Sequence, residues 1–276
     1  MKAVVFHRPG DIRFEEVPTP TPGPGELLVR IGSALTCGTD LKTYRRGHPV
    51  MITKTPALFG HEWAGTVEAV GDGVESMRIG ERVVAANSAP CHSCFPCRNG
   101  RVNLCENLEL LNGAYAEYIR VPARIVEQNL LSLPEHLSFA QAALVEPLAC
   151  AIYGIERSGV RLGQTLCIFG AGPMGLLLTQ LAKRQGVRVI VIGKGKFRLE
   201  KAAEAGADEI LDAGRGEYVL AEVRRLSPEG RGADVTIEAT GRPEVWEQAV
   251  EVTRKAGTVV LFGGCEPGTS FRVDTR

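Results

Sequence analysis

Four cysteines fall within fifteen residues as Cys91-x2-Cys94-x2-Cys97-x7-Cys105. Four soft thiolates at such spacing suit a closed tetrahedral zinc with no coordination position left for a substrate. An iron–sulfur cluster is the chemical competitor. It is disfavoured because the fourth cysteine does not occupy the x3-Cys-Pro position of a ferredoxin run and no second set exists. Pro90, Pro96, Asn99 and Gly100 make the segment a loop with little core of its own, so a metal would hold it folded. A second pattern is Gly170-Ala171-Gly172-Pro173-Met174-Gly175, preceded by an apolar run and followed by a helical one. Gly170 permits a tight turn, Gly172 lets the main chain approach a pyrophosphate, and Gly175 allows a helix to pack closely on a strand. Pro173 and Met174, between these glycines, are counted with them as cofactor-binding candidates, and the helix start offers free N–H groups to the anion.

An acidic residue about 20 positions further on normally receives the adenosine ribose hydroxyls of a dinucleotide. Here that place is Gly193, followed by Lys194, Lys196 and Arg198. The acid that would repel a 2′-phosphate is missing and cations that could hold one are near, which favours NADP over NAD. Two further segments carry isolated ligand-type residues, Thr36-Cys37-Gly38-Thr39-Asp40 and Phe59-Gly60-His61-Glu62. Taken singly, a cysteine or histidine of this kind is more often an ordinary core residue.

The elements that must position these residues divide the chain in two. Up to about residue 146, short β-branched runs at 2–6, 26–31, 64–70, 81–86 and 116–121 are punctuated by Gly and Pro, as in an all-β unit of barrel type. The Pro-rich stretch 18–25 reads as an extended connector after an opening hairpin. Beyond residue 146 strands alternate with helices. Strands are predicted at 165–169, 188–192, 209–211, 233–238 and 258–262, and helices at 175–185, 197–205, 218–226 and 243–255. Such alternation specifies a doubly wound parallel sheet. The expected domains are therefore 1–146 and 147–276, in an α/β chain overall.

Thirty-two basic and thirty-two acidic residues give a net charge of zero, which supplies no field for nucleic acid or anionic lipid. No apolar stretch approaches the roughly 20 residues needed to cross a bilayer, and His7-Arg8-Pro9-Gly10 breaks the N-terminal run before a signal-peptide core could form. A cytoplasmic protein is expected, with the crowded cysteines reduced and metal-bound rather than paired.

Gly60-His61-Glu62-x2-Gly65, Gly80-Glu81-Arg82-Val83, the four-cysteine loop, Glu146-Pro147-Leu148 and Gly170-x-Gly172-x-x-Gly175 stand in the order found in zinc-dependent medium-chain alcohol dehydrogenases. The chain resembles that family from Met1 to its last residue. Glu146-Pro147-Leu148-Ala149 is similar to the branch of sorbitol and other polyol dehydrogenases and threonine dehydrogenase. The resemblance implies a GroES-like β-barrel catalytic domain followed by a Rossmann coenzyme domain.

It also implies a catalytic zinc held by Cys37, His61 and Glu146, with Glu62 a direct or exchangeable fourth ligand. Cys150, one helical turn beyond Glu146, is the reserve third ligand. A carboxylate then replaces one thiolate of the alcohol dehydrogenase site, which leaves a stronger Lewis acid. Asp40 matches the family position that hydrogen-bonds the metal-bound histidine, and Thr39 the hydroxyl that passes the substrate proton towards solvent.

The implied reaction moves a hydride between an alcohol or ketone and NAD(P), with one catalytic and one structural zinc. Small molecules would be the partners, with neither nucleic acid nor membrane. Family members continue several tens of residues beyond the position of Arg276, so the coenzyme domain is expected to be C-terminally incomplete. The homo-oligomer expected of the family is in question if the chain ends there. A zinc-stabilised nucleotide-binding protein without turnover, a redox sensor or scaffold, is the alternative from another class.

Overall fold

The computed structural model describes residues 1–215 and 218–274. Gly216, Glu217, Thr275 and Arg276 lie outside the described residues, so the last two positions of the expected coenzyme domain receive no structural account. The chain forms two compact units, Met1–Glu146 and Pro147–Arg276.

The first unit contains β1 (Lys2–Arg8), β2 (Asp11–Glu16), β3 (Leu27–Leu35), α1 (Gly38–Arg46), β4 (Ala57–Leu58), β5 (Glu62–Val70), β6 (Arg82–Ala85) and β7 (Ser88–Ala89). It continues with α2 (Phe95–Arg98), β8 (Glu109–Leu110), β9 (Tyr118–Val121), α3 (Ala123–Asn129), β10 (Leu130–Ser132) and α4 (Phe139–Ala142). An antiparallel sheet in the order β10-β6-β5-β3-β9 and a smaller one in the order β2-β1-β4 carry the unit. The opening hairpin is β1–β2, in which Val4 faces Phe14 and Val5 faces Arg13. Leu27, Val29, Trp63, Val67, Val83, Ile119, Val121 and Ile125 form the core of the larger sheet. Leu27 and Val29 of β3 enter it from alternate positions, as the period of a half-buried strand requires.

Helix α5 (Val145–Ser158) begins at the junction and leads into the second unit: β11 (Thr165–Phe169), α6 (Pro173–Arg184), β12 (Arg188–Gly193), α7 (Lys196–Glu204) and β13 (Glu209–Asp212). Then come α8 (Tyr218–Leu226), β14 (Ala233–Glu238), α9 (Pro243–Val252) and β15 (Thr253–Leu261). The sheet order is β13-β12-β11-β14-β15, and all four pairings are parallel. The order reverses between β11 and β14, which opens a crevice at the carboxyl ends of the strands. All five residues of β11 are buried, as a strand covered by helices on both faces must be.

Helix α6 buries Gly175, Leu178, Thr179 and Ala182, a single stripe at helical spacing. A Cβ at Gly175 would lie 1.8 Å from the Gly170 carbonyl oxygen, so only glycine lets α6 sit over the turn that follows β11.

Two expectations need correction. Residues 38–46 form a helix that the strand-dominated reading of the first unit does not contain. Its buried positions, Asp40 and Thr43, are polar, so no apolar period marks it. The helix expected over 243–255 stops at Val252. Its basic end looks like a continuing helix, yet the chain must turn there to enter the sheet. Ala233 pairs with Thr253 and Val235 with Thr258, and Ala256 in between takes φ 55°.

Two aspartates staple the edges of the second unit. Asp234 Oδ2 accepts from the Thr165 amide at 2.8 Å and its Oδ1 from Arg254 Nε at 2.7 Å. Asp208 accepts from Lys183 Nζ at 2.7 Å and from the Val189 amide at 2.7 Å. Partial burial opposes ionisation of both, but these donors prevail and hold both carboxyls below the ordinary value of 3.8. A depressed native pKa stabilises fully above the unfolded value and is lost as pH falls through the native one. Thermal melts of the intact protein are therefore expected to lose stability below about pH 4, and Asp234→Asn or Asp208→Asn to flatten that acid limb. An unchanged limb in both variants would show that the staples carry no linked stability.

Candidate active site and coenzyme cleft

Cys37 is the N-cap of α1. Its sulfur accepts from the Thr39 amide at 3.4 Å, and its own amide donates to Asp40 Oδ2 at 2.9 Å, so the cap is closed from both sides. Asp40 is 4% exposed, and its other oxygen lies 3.1 Å from Nδ1 of His61, itself 3% exposed. The approach is off the line of a ring N–H bond, since Nδ1 has no formed hydrogen-bond partner, and the pair is held by charge and proximity. His61 and Glu62 enter at the start of β5, beside the strand that carries Leu35.

The donor atoms of Cys37, His61 and Glu62 all lie within 4.8 Å of one another. A thiol, an imidazole and a carboxylate, the last two on buried residues, form a set that zinc fits. Burial alone would lower His61, but the Asp40 carboxylate and the Cys37 sulfur outweigh it and push the imidazole up to about 10. Burial pushes Glu62 above the ordinary carboxylate value, only partly opposed by Cys37 and His61. Burial also works against the Asp40 carboxylate, yet His61 and the Tyr115 hydroxyl keep it below its ordinary value. A cation beside this set would take the place of the proton on His61 and stabilise the Glu62 carboxylate.

Of the expected ligands, Glu146 is half-buried in the first turn of α5 and lies outside this group of donors among the described residues. Cys150, the reserve ligand, is exposed and is likewise outside it. Thr39 is half-buried in the first turn of α1, and its hydroxyl makes no hydrogen bond among the described residues. Tyr115 was not foreseen. Its hydroxyl donates to Asp40 Oδ2 at 2.6 Å and lies 2.9 Å from the Leu35 carbonyl oxygen. Its ring meets Phe59 edge-on at 5.6 Å. It stands 75 residues from Asp40 in the chain, and no local pattern announces such a pair.

The four cysteines converge as well: the sulfurs of Cys91, Cys94, Cys97 and Cys105 all lie within 4.8 Å of one another. The Cys91 and Asn107 amides point at Cys105 Sγ from 3.2 and 3.3 Å. Hydrogen bonds from Ser93 and from the backbone bring the Cys91 thiol down to about 5, whereas burial and the neighbouring thiols push Cys97 up to about 12. Backbone hydrogen bonds lower the Cys94 thiol too, and four converging sulfurs, two of them readied as thiolates, form a donor set that a dication completes and zinc fits.

In the second unit a cleft of ≈ 390 Å³ lies at the carboxyl ends of the strands. Gly170, Gly172, Gly193, Lys194 and Arg198 line it, as expected, and so do Ala213, Thr240, Arg242, Glu244 and Gln248, which were not foreseen. Thr240-Gly241 directly after a buried strand is a turn signal that could have found the second group. Pro173, Met174 and Gly175 form the first turn of α6 and do not line the cleft. A Cβ at Gly193 would lie 2.4 Å from the Ala171 Cβ, so packing itself excludes an acid at this strand end.

Tyr115→Phe removes one of the donors that fix Asp40. We expect roughly 10-fold weaker zinc retention at the Cys37 site, the lower range for loss of an outer partner, in a chelator competition that leaves zinc at the cysteine loop unchanged. Equal retention at both sites would remove Tyr115 from the support of His61.

The description "Alcohol dehydrogenase GroES-like domain" matches residues 23–134, and "Zinc-binding dehydrogenase" matches residues 173–275. Sorbitol dehydrogenase of Bacillus subtilis (strain 168) is 33% identical over 270 residues, covering 95% of this chain and 75% of the relative. L-threonine 3-dehydrogenase of Pyrococcus horikoshii is 35% identical over 270 residues, with 95% and 76% covered. A candidate zinc-binding dehydrogenase from Sinorhizobium meliloti 1021, solved bound to NADP, superimposes with a TM-score of 0.90 at 33% identity, covering 99% of this chain and 79% of that one. With two family descriptions on its two units, and with relatives matched over nearly its whole length, the chain belongs to the zinc-dependent medium-chain alcohol dehydrogenases.

Proposed function

We propose that the protein transfers a hydride between a secondary alcohol of the polyol or amino-alcohol class and a nicotinamide dinucleotide, with NADP preferred. The observation that carries this reading is the convergence of Cys37, His61 and Glu62 around the buried Asp40, apart from the cysteine loop. A zinc-stabilised scaffold without turnover has no use for a second donor set. The named activities of the sorbitol and threonine dehydrogenases to which the chain is similar support the alcohol class.

When bound, zinc supplies the Lewis acidity that makes an alcohol acidic or polarises a carbonyl, and the dinucleotide supplies the hydride acceptor or donor. The chain's own residues prepare and bound that chemistry. Cys37, His61 and Glu62 hold the metal, with Glu146 as the further carboxylate. Asp40, 3.1 Å from Nδ1, holds the direction of the His61 ring. Thr39, at the first turn of α1, takes the alcohol proton and returns it to solvent. Burial of His61 and Glu62 keeps competing water from the donors.

In the coenzyme cleft the N-terminus of α6 and the open backbone at Gly172 receive the pyrophosphate. Lys194 and Arg198 receive the 2′-phosphate where Gly193 leaves no acid. The cysteine loop holds the structural zinc through Cys91, Cys94, Cys97 and Cys105.

Cys37→Ser is expected to yield folded protein with one bound zinc in place of two by atomic absorption, and alcohol oxidation lower by about two orders of magnitude or more. Near-normal turnover would overturn the assignment. Replacing Lys194 and Arg198 together by Ala should raise KM for NADP by about 10-fold or more, the value of one lost charged contact, and leave KM for NAD within about twofold. Parallel changes for both coenzymes in steady-state kinetics would remove the 2′-phosphate assignment.

A further inference from the structure

Glu238, at the carboxyl end of β14, is 0% exposed, and among the described residues no lysine or arginine pairs with it. A buried carboxylate without a counter-cation persists only where several hydrogen bonds replace its hydration. Here they come from one short stretch. The Thr240 amide donates to Oε1 at 2.6 Å, and the Thr240 hydroxyl donates to the same oxygen. The Gly241 amide reaches Oε2 at 3.0 Å, and the Trp246 indole N–H donates to Oε2 at 2.8 Å. Gly241 takes φ 68°, which turns its amide back toward Glu238 beside that of Thr240 and makes a small anion-binding nest filled from within the chain.

The groups gathered in this way form one wall of the coenzyme cleft. Ala239, Thr240 and Arg242 belong to the loop that the carboxylate folds, and Glu244, Val245 and Gln248 belong to α9, which Trp246 tethers to it. The link reaches the opposite wall too. A Cβ at Gly170 would lie 3.3 Å from Thr240 Cγ2, so the position of Thr240 sets the width of the cleft at the first glycine of the phosphate loop.

We propose that Glu238 is a positioning residue for the dinucleotide: its charge shapes the 239–242 loop and anchors α9 so that the cleft is preformed for the coenzyme. The inference rests on the reading of this cleft as the coenzyme site. It goes beyond that reading in assigning the geometry of the wall to one buried anion that does not itself line the cleft. Glutamine at this position keeps the volume but turns an NH2 group toward N–H donors, so at least one of the four loses its acceptor. The wall then relaxes, and binding must first reorder it.

The test is direct NADPH binding by fluorescence titration of the full-length, zinc-loaded protein. Glu238→Gln is expected to weaken the dissociation constant about 10-fold or more, and Trp246→Phe, which removes one donor only, about threefold. Zinc content should stay the same, and kcat at saturating coenzyme should stay within about twofold of wild type. Asp234→Asn, which weakens the opposite end of β14 away from the cleft, serves as the control and should bind NADPH as wild type does. Should Glu238→Gln fail to fold, Trp246→Phe decides. Wild-type affinity in the variants that fold overturns the inference, and so does an equal loss in the Asp234→Asn control, which would mean that general stability is the cause. A wild-type protein that takes up no dinucleotide overturns the coenzyme reading and this inference with it.

Discussion

One buried carboxylate carries the donor set of the first unit. Asp40 completes the cap of α1 through the Cys37 amide, receives the Tyr115 hydroxyl, and sets its second oxygen against His61. A helix cap, ordinarily a local device worth about 1 kcal/mol, here doubles as the support of His61, one of three converging donors. The arrangement ties two donors from separate elements to a common anion, so α1 and the start of β5 cannot drift apart without leaving a charge buried and unpaired. The raised value of His61 belongs to the same design, in which the imidazole keeps a proton in a position suited to a cation.

The second unit uses the same physics for a different end. Glu238 lies wholly inside the protein and is satisfied by amides, a hydroxyl and an indole. Its neighbours face the cleft while it does not, so the site is shaped by a group that need never touch a ligand. In each unit the costly element is a buried anion. In each, the compensation comes from backbone amides together with side chains, which are thereby held in one geometry.

Much of the coenzyme unit was legible because its strands are buried on both faces. The run 165–169 is apolar but for Thr165, the run 233–238 sets apolar residues at alternate positions, and the observed β11 and β14 have those bounds. The glycine pattern was equally legible, since the turn and the close helix crossing each demand a residue without a side chain. Helix α1 was not legible. Its cap is a cysteine with aspartate at the third position, and its buried face is polar, so both the usual capping signature and the apolar period are missing. The end of α9 was misplaced because Arg254-Lys255 suits a helix terminus and nothing local requires the turn into β15.

The amino-acid order alone determined whatever depends on neighbours in the chain: the loop with its closely spaced cysteines, the glycine turn after β11, the absence of an acid after β12, and the break in pattern near residue 146. Only the tertiary structure decided which distant groups meet. Cys37 and His61 come from different elements, Tyr115 reaches Asp40 across 75 positions, and Trp246 turns back to Glu238. It also placed Glu62 rather than Glu146 among the donors of the first unit. The reason is that spacing constrains geometry only over the few residues of a turn or a helical repeat. Beyond that range, strand register and packing set the distance between two side chains, and the order of residues between them carries no measure of it.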